Sequence, residues 1–106
     1  MKIRHPDSLE PARIGEWVAY DPAWLVDLAR ERKDHPWLAE ALAKCRTARW
    51  ESRAYVAFID SSNANASDSP WQFQENIVLE HSTEGDLVLD ILVGGRVGGV
   101  EFLSRL

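Results

Sequence analysis

Ahead of Arg49 the apolar side chains recur every three or four positions, and after it they alternate with a period of two. That change divides the chain into a helical front and a stranded back. In the front, Asp21-Pro22 is a helix start: an Asp able to accept a free amide, then a Pro whose fixed φ suits the first helical position. Trp24, Leu25, Leu28 and Ala29 follow at helical spacing, and Arg30, Arg32 and Lys33 put cations at the negative end of the helix dipole. Asp34-His35-Pro36 repeats the start, and Trp37, Leu38, Ala41, Leu42 and Cys45 make one apolar stripe. So short a connection predicts an angled helical hairpin. The stretch from Ser8 to Tyr20 allows either a helix or a short strand, with Gly15 weighing against the helix.

In the back, Tyr55 to Ile59 is almost wholly apolar and reads as a central strand. Residues 60–70 are a polar loop rich in turn formers. Trp71, Phe73, Ile77 and Leu79 share one face of the next strand, and Leu87, Leu89, Ile91 and Val93 one face of the following one. Gly94-Gly95 supplies two positive-φ positions for a tight turn, after which Val97 to Leu103 returns. A two-residue loop there pairs Val93 with Arg96, Ile91 with Gly98, Leu89 with Val100 and Leu87 with Phe102. A five-residue loop over His81–Gly85 pairs Leu79 with Leu87 and Ile77 with Leu89. The apolar partners then share a single face, as a half-buried sheet requires. Glu75 interrupts that face opposite Ile91; a bulge is expected to turn it out, the alternative being a functional carboxylate. The expected fold is α+β, one domain over residues 1–106: an antiparallel sheet of about four strands, covered on one face by two or three N-terminal helices.

Composition narrows the class. A chain of 106 residues, 45% hydrophobic and 27% charged, suits one ordinary globular domain. No apolar run approaches the roughly 18 residues that span a bilayer, and the start from Met1 to Asp7 has no apolar stretch behind its cations. A cytoplasmic location is therefore expected. Trp17, Trp24, Trp37, Trp50 and Trp71 are expected mainly as core. One cysteine forms no internal disulfide, and Cys45 on an apolar stripe reads as a buried inert thiol. The chain offers no phosphate loop, no convergent metal-ligand spacing for His5, His35, His81 and Cys45, and no nucleophile elbow for Ser61 or Ser62. No catalysis, cofactor or metal is expected.

Charge changes the picture most. Residues 1–53 hold ten basic and nine acidic side chains, whereas residues 54–106 hold two basic against eight acidic, a net of −6. Such a field repels nucleic acid and acidic membranes and attracts basic proteins. In the proposed register Asp90 lies across from Gly99 and Glu101 across from Val88, on the face away from the helices, with Glu80 beside them. Gly98 and Gly99 leave a shallow place there, the sign of a close approach or a bulge. Asp60, Asp68, Trp71, Glu80, Glu84, Asp86, Asp90 and Glu101 are the expected partner-binding residues, Trp71 and Tyr55 serving as anchors inside an acidic rim.

The runs Trp71–Glu80, Glu84–Leu92 and Gly95–Leu103 together resemble the sheet of small bacterial immunity proteins, which accompany polymorphic secreted toxins, particularly those of contact-dependent growth inhibition systems. The closing hairpin is also similar to that of short bacterial domains without assigned activity. The resemblance covers roughly residues 50–106 and carries over no individual contact residue. It implies a monomer that neutralises a cognate toxin in a one-to-one complex; many such toxins are nucleases, which present cations to phosphate. A stand-alone interaction or regulatory domain is the alternative, and a small-ligand-binding protein a further one.

Overall fold

The computed structural model describes residues 6–60, 69 and 72–106. Its elements, in chain order, are α1 (Pro6–Leu9), β1 (Trp17–Ala19), α2 (Ala23–Ala29), α3 (Leu38–Ala43), β2 (Thr47–Ser52), β3 (Tyr55–Ala57), β4 (Phe73–His81), β5 (Gly85–Leu92), β6 (Arg96–Phe102) and a closing 3₁₀ turn, Leu103–Arg105. The strands form one antiparallel sheet in the order β1-β2-β3-β6-β5-β4. The class is α+β with the helices N-terminal to most of the sheet, but the described residues form six strands where about four were expected. The extra ones come from the ambiguous stretch before Tyr20, which makes β1, and from a hairpin that splits β2 from β3.

Both helices form after their Asp–Pro signals but start later than those signals place them, α2 at Ala23 with Pro22 as its N-cap and α3 at Leu38 with Trp37 as its N-cap. The Asp21 carboxylate accepts the Ala23 amide at 3.0 Å, and Leu25, Val26 and Ala29 turn inward. α2 ends at Ala29, so Arg32 and Lys33 lie beyond its last turn. Arg32 instead pairs with Asp34 at 2.9 Å and donates to the carbonyl of Val78 on β4. The core lies between the helices and one face of the sheet: Leu25, Leu38 and Leu42 against Trp50, Val56, Leu87, Leu89, Ile91, Val100 and Phe102, all essentially inaccessible. Trp50 stacks on Phe102 at 5.6 Å, and Trp24 packs on the same ring at 5.9 Å. Trp17 and Trp37, expected as core, are 43% and 37% exposed, because β1 is a sheet edge and Trp37 stands at the start of α3. No helix among the described residues is long and apolar enough to cross a membrane.

The pairings Leu79–Leu87, Ile77–Leu89, Leu89–Val100 and Leu87–Phe102 form as the sequence predicts. Two turn details differ. His81 pairs with Gly85, so the β4–β5 loop is shorter than five residues. Leu92 pairs with Arg96 and Ile91 with Val97, so Val93 is part of the β5–β6 loop, with Gly94 and Gly95 at φ of +93° and +77°. A bulge at Gly98 then restores the predicted register from Gly99 onward. A second bulge lies between Phe73 and Glu75 on β4. It does not turn Glu75 out: Glu75 stays opposite Ile91 and half-buried, while Phe73 is 47% exposed.

Candidate functional site: the open face of the sheet

Alternation along β3 to β6 sends Val56, Val100, Leu89 and Ile77 to the helices and their neighbours to the opposite face. Strand pairing arranges that second face in rows. Glu80 lies directly across from Asp86; Val78, Val88, Glu101 and Tyr55 form the next row; Asn76, Asp90, Gly99 and Ala57 form the third.

The shallow place predicted at the glycines is filled. The Tyr55 ring crosses β6 over Gly99, and its hydroxyl donates to the Asp90 carboxylate at 2.7 Å. An added Cβ on Gly99 would lie 2.2 Å from the Tyr55 oxygen and 2.8 Å from the Val56 carbonyl, so only glycine permits the crossing. Burial, then the bond to Asp90, pushes the Tyr55 pKa well above the ordinary phenol range. Tyr55 thus serves as a permanent donor tying β3 to β5.

The predicted acids divide three ways. Glu80 and Asp86 are exposed and Glu101 half-buried on the open face, and none of them makes an ion pair or side-chain hydrogen bond with another described residue. Asp90 shares that face but accepts the Tyr55 bond. Glu84 is turned away from it and pairs at 2.9 Å with Arg105, whose guanidinium is only 6% exposed. Arg105 also holds Glu10 at 3.1 Å, donates to the carbonyl of Arg53 at 2.9 Å and lies 4.1 Å from the centre of the Phe102 ring. Glu84 is therefore corrected from a partner-binding acid to part of an internal clasp. Asp60 is exposed just past β3 and engaged in interactions within the chain, among them the field of Arg49. Asp68 and Trp71 lie outside the described residues.

At the other end of the face, Arg49 pairs with Glu51 at 2.9 Å and stacks 5.3 Å from the centre of the exposed Trp17 ring. The face is thus acidic over β4 to β6 and carries an aromatic–cation pair at β1 and β2. Trp17 and Arg49 were not anticipated here, since pairing β1 with β2 is what brings them together. Chemically, the surface suits ionic and apolar contact. Among the described residues no group of three His, Cys, Asp or Glu side chains converges as metal ligands. Cys45 is buried, its thiol pushed up to about 12 by desolvation.

No family model, no curated protein and no solved structure matches this chain.

Proposed function

We propose that this chain is a non-catalytic inhibitor of the immunity type, which uses the open face of β3 to β6 to dock a cationic surface on a cognate secreted bacterial toxin, a nuclease. The observation that carries the reading is the charge at Glu80, Asp86 and Glu101, which no ion pair among the described residues compensates. Like charges directly opposite on paired strands repel and weaken the sheet. Among the described residues Arg105, Arg49 and Arg32 are engaged with Glu84, Glu51 and Asp34, and no cation pairs with these acids. A surface that keeps such repulsion releases it when a basic partner binds, and the same field speeds the partner's approach. The exposed Val78 and the half-buried Val88 lie between the carboxylates and give the apolar centre that a lasting contact needs. The stand-alone interaction domain shares this surface and differs only in its partner.

The test is protection. A toxin domain is first sought among the products of the genes that flank this chain's own; bacteria producing it should survive when the chain is co-produced, and the purified pair should associate in a strongly salt-dependent way. Charge reversal at Glu80, Asp86 and Glu101 to Lys should abolish protection and flatten the salt dependence, with the urea midpoint no lower than that of the wild type. Unchanged protection and an unchanged salt slope would refute the proposal. Binding of a basic protein without protection would favour the interaction domain.

A further inference from the structure

On the helix side, where the sheet runs past the end of α3, lies a cleft of about 890 Å³. Its walls are Trp37, Ala41, Phe58, Ile91 and Val97, with the β5–β6 turn as its lip. Trp37 overhangs that lip: a Cβ on Gly95 would stand 4.0 Å from its ring, and His35 packs edge-on against it at 5.8 Å. Clefts of a few hundred to about a thousand Å³ with apolar walls and a few convergent polar groups are the usual form of a small-molecule site.

The polar groups here are specific. Glu75 sits in the row that also holds Ile77 and Leu79, opposite Ile91, where the alternation calls for an apolar side chain. The β4 bulge leaves it on the cleft wall, half-buried, with no ion pair or side-chain hydrogen bond to another described residue. A carboxylate held part-way out of water without a partner costs stability, and a donor arriving with a ligand removes that cost. Lys44 and Arg46, at the exit from α3, also line the cleft, and neither side chain has an ion-pair or hydrogen-bond partner among the described residues. Glu40 on α3 and Arg96 on β6 line it too, so the cleft carries both signs of charge, Glu75 and Glu40 with Lys44, Arg46 and Arg96, and aromatic walls between them.

We propose that this cleft binds a small zwitterion with an apolar body, a free amino acid or the end of a short peptide: its ammonium on Glu75, its carboxylate at Lys44 and Arg46, its side chain against Trp37 and Phe58. A purely cationic ligand would also meet Lys44, Arg46 and Arg96, and a purely anionic one Glu75 and Glu40. Only a molecule carrying both charges meets both walls. None of these residues belongs to the open face, so the site is independent of toxin binding.

The experiment uses probes that share one indole body: tryptophan, tryptamine, indole-3-propionate and N-acetyltryptophanamide, each titrated into isotope-labelled protein and followed by amide chemical shifts. Tryptophan should saturate and move the amides of Glu75, Lys44–Thr47 and Gly95–Val97, binding at least about threefold tighter than either singly charged probe, a modest margin for exposed charges. Glu75→Gln should erase its advantage over indole-3-propionate. Replacing both Lys44 and Arg46 by Gln should erase its advantage over tryptamine. Unchanged urea midpoints confirm that the variants fold. No saturable shift with any probe, a singly charged or neutral probe binding best, or a ranking that neither variant alters would overturn the proposal. None of those results bears on protection against the toxin.

Discussion

Replacing Gly99 by Ala tests the packing beneath the open face. The new Cβ would lie 2.2 Å and 2.6 Å from the Tyr55 hydroxyl and ring carbon, and 2.8 Å from the Val56 carbonyl. All three are closer than real Cβ contacts, and the last neighbour is backbone, so the strand itself must yield. Displacing the ring breaks a hydrogen bond to a charged acceptor, about 1.5–3 kcal/mol. Straining the β3–β6 spacing adds about 1–3 kcal/mol of overpacking. Against this, Ala restricts the unfolded chain and returns about 0.5–1 kcal/mol. The net expectation is a loss of about 1.5–5.5 kcal/mol, read as a lower urea midpoint by tryptophan fluorescence. Gly98→Ala is the control: the three atoms nearest its Cβ all belong to the flexible Leu92 side chain, the first at 3.3 Å, and it should cost less than about 1 kcal/mol. In a Tyr55→Ala background the Gly99 substitution should cost distinctly less, because the hydrogen bond and the ring clash are already gone. A Gly99→Ala protein as stable as wild type, or one whose penalty is the same without Tyr55, would refute the crossing.

Other features give sharper single tests. Arg105→Met removes a guanidinium that is only 6% exposed and leaves Glu84 and Glu10 facing each other, so about 2–4 kcal/mol should be lost in chemical denaturation, with Glu10→Gln alone costing less because Glu10 is half exposed. Cys45 should resist alkylation at neutral pH in the native protein and react readily in urea, since its thiol is buried and pushed up to about 12; equal native and unfolded rates would contradict that burial. The Arg32 bond holds the Asp34 carboxyl down at about 2 from an ordinary 3.8, so its stabilising contribution is complete above 3.8 and is lost as pH falls through about 2; the stability difference between wild type and Arg32→Gln should shrink over that window. The same variant uncovers the Val78 carbonyl on the β4 edge and should raise self-association in sedimentation, wild type remaining the less associated.

Where side chains were long and regularly spaced, the pattern sufficed: Leu79, Leu87, Leu89, Val100 and Phe102 take the partners their alternation requires. Local devices were harder to read. The Gly98 bulge and the three-residue turn at Val93 cancel, so a register counted from a two-residue loop is right beyond Gly99 and wrong before it. β1 stayed ambiguous between helix and strand, and β2 went unrecognised, because β1 has only three residues and its identity depends on pairing with β2 rather than on periodicity. The candidate face was legible as a row of acids, since parity alone puts Asp90 and Glu101 together. What parity omits is which acids are already engaged: Glu84 meets an arginine 21 residues further along the chain, and Asp90 a tyrosine 35 residues before it. Glu75 stood out as a polar residue in an apolar row, but the expectation that a bulge would expel it fails, because the bulge lies before it and leaves it opposite Ile91.

The strand order has a mechanical consequence. β1 to β3 and β4 to β6 are each built by neighbours along the chain, and the strand pairing that joins the two halves is β3 with β6, over the pairs from Tyr55–Glu101 to Ala57–Gly99, with the Tyr55–Asp90 bond and the Trp50–Phe102 stack crossing the same line. That seam is shorter than any pairing between β4, β5 and β6, so it is the natural line along which the sheet opens short of full unfolding. A ligand laid across it would act as a splint: it would slow amide exchange on both halves and raise the melting temperature in proportion to its occupancy, whatever its identity.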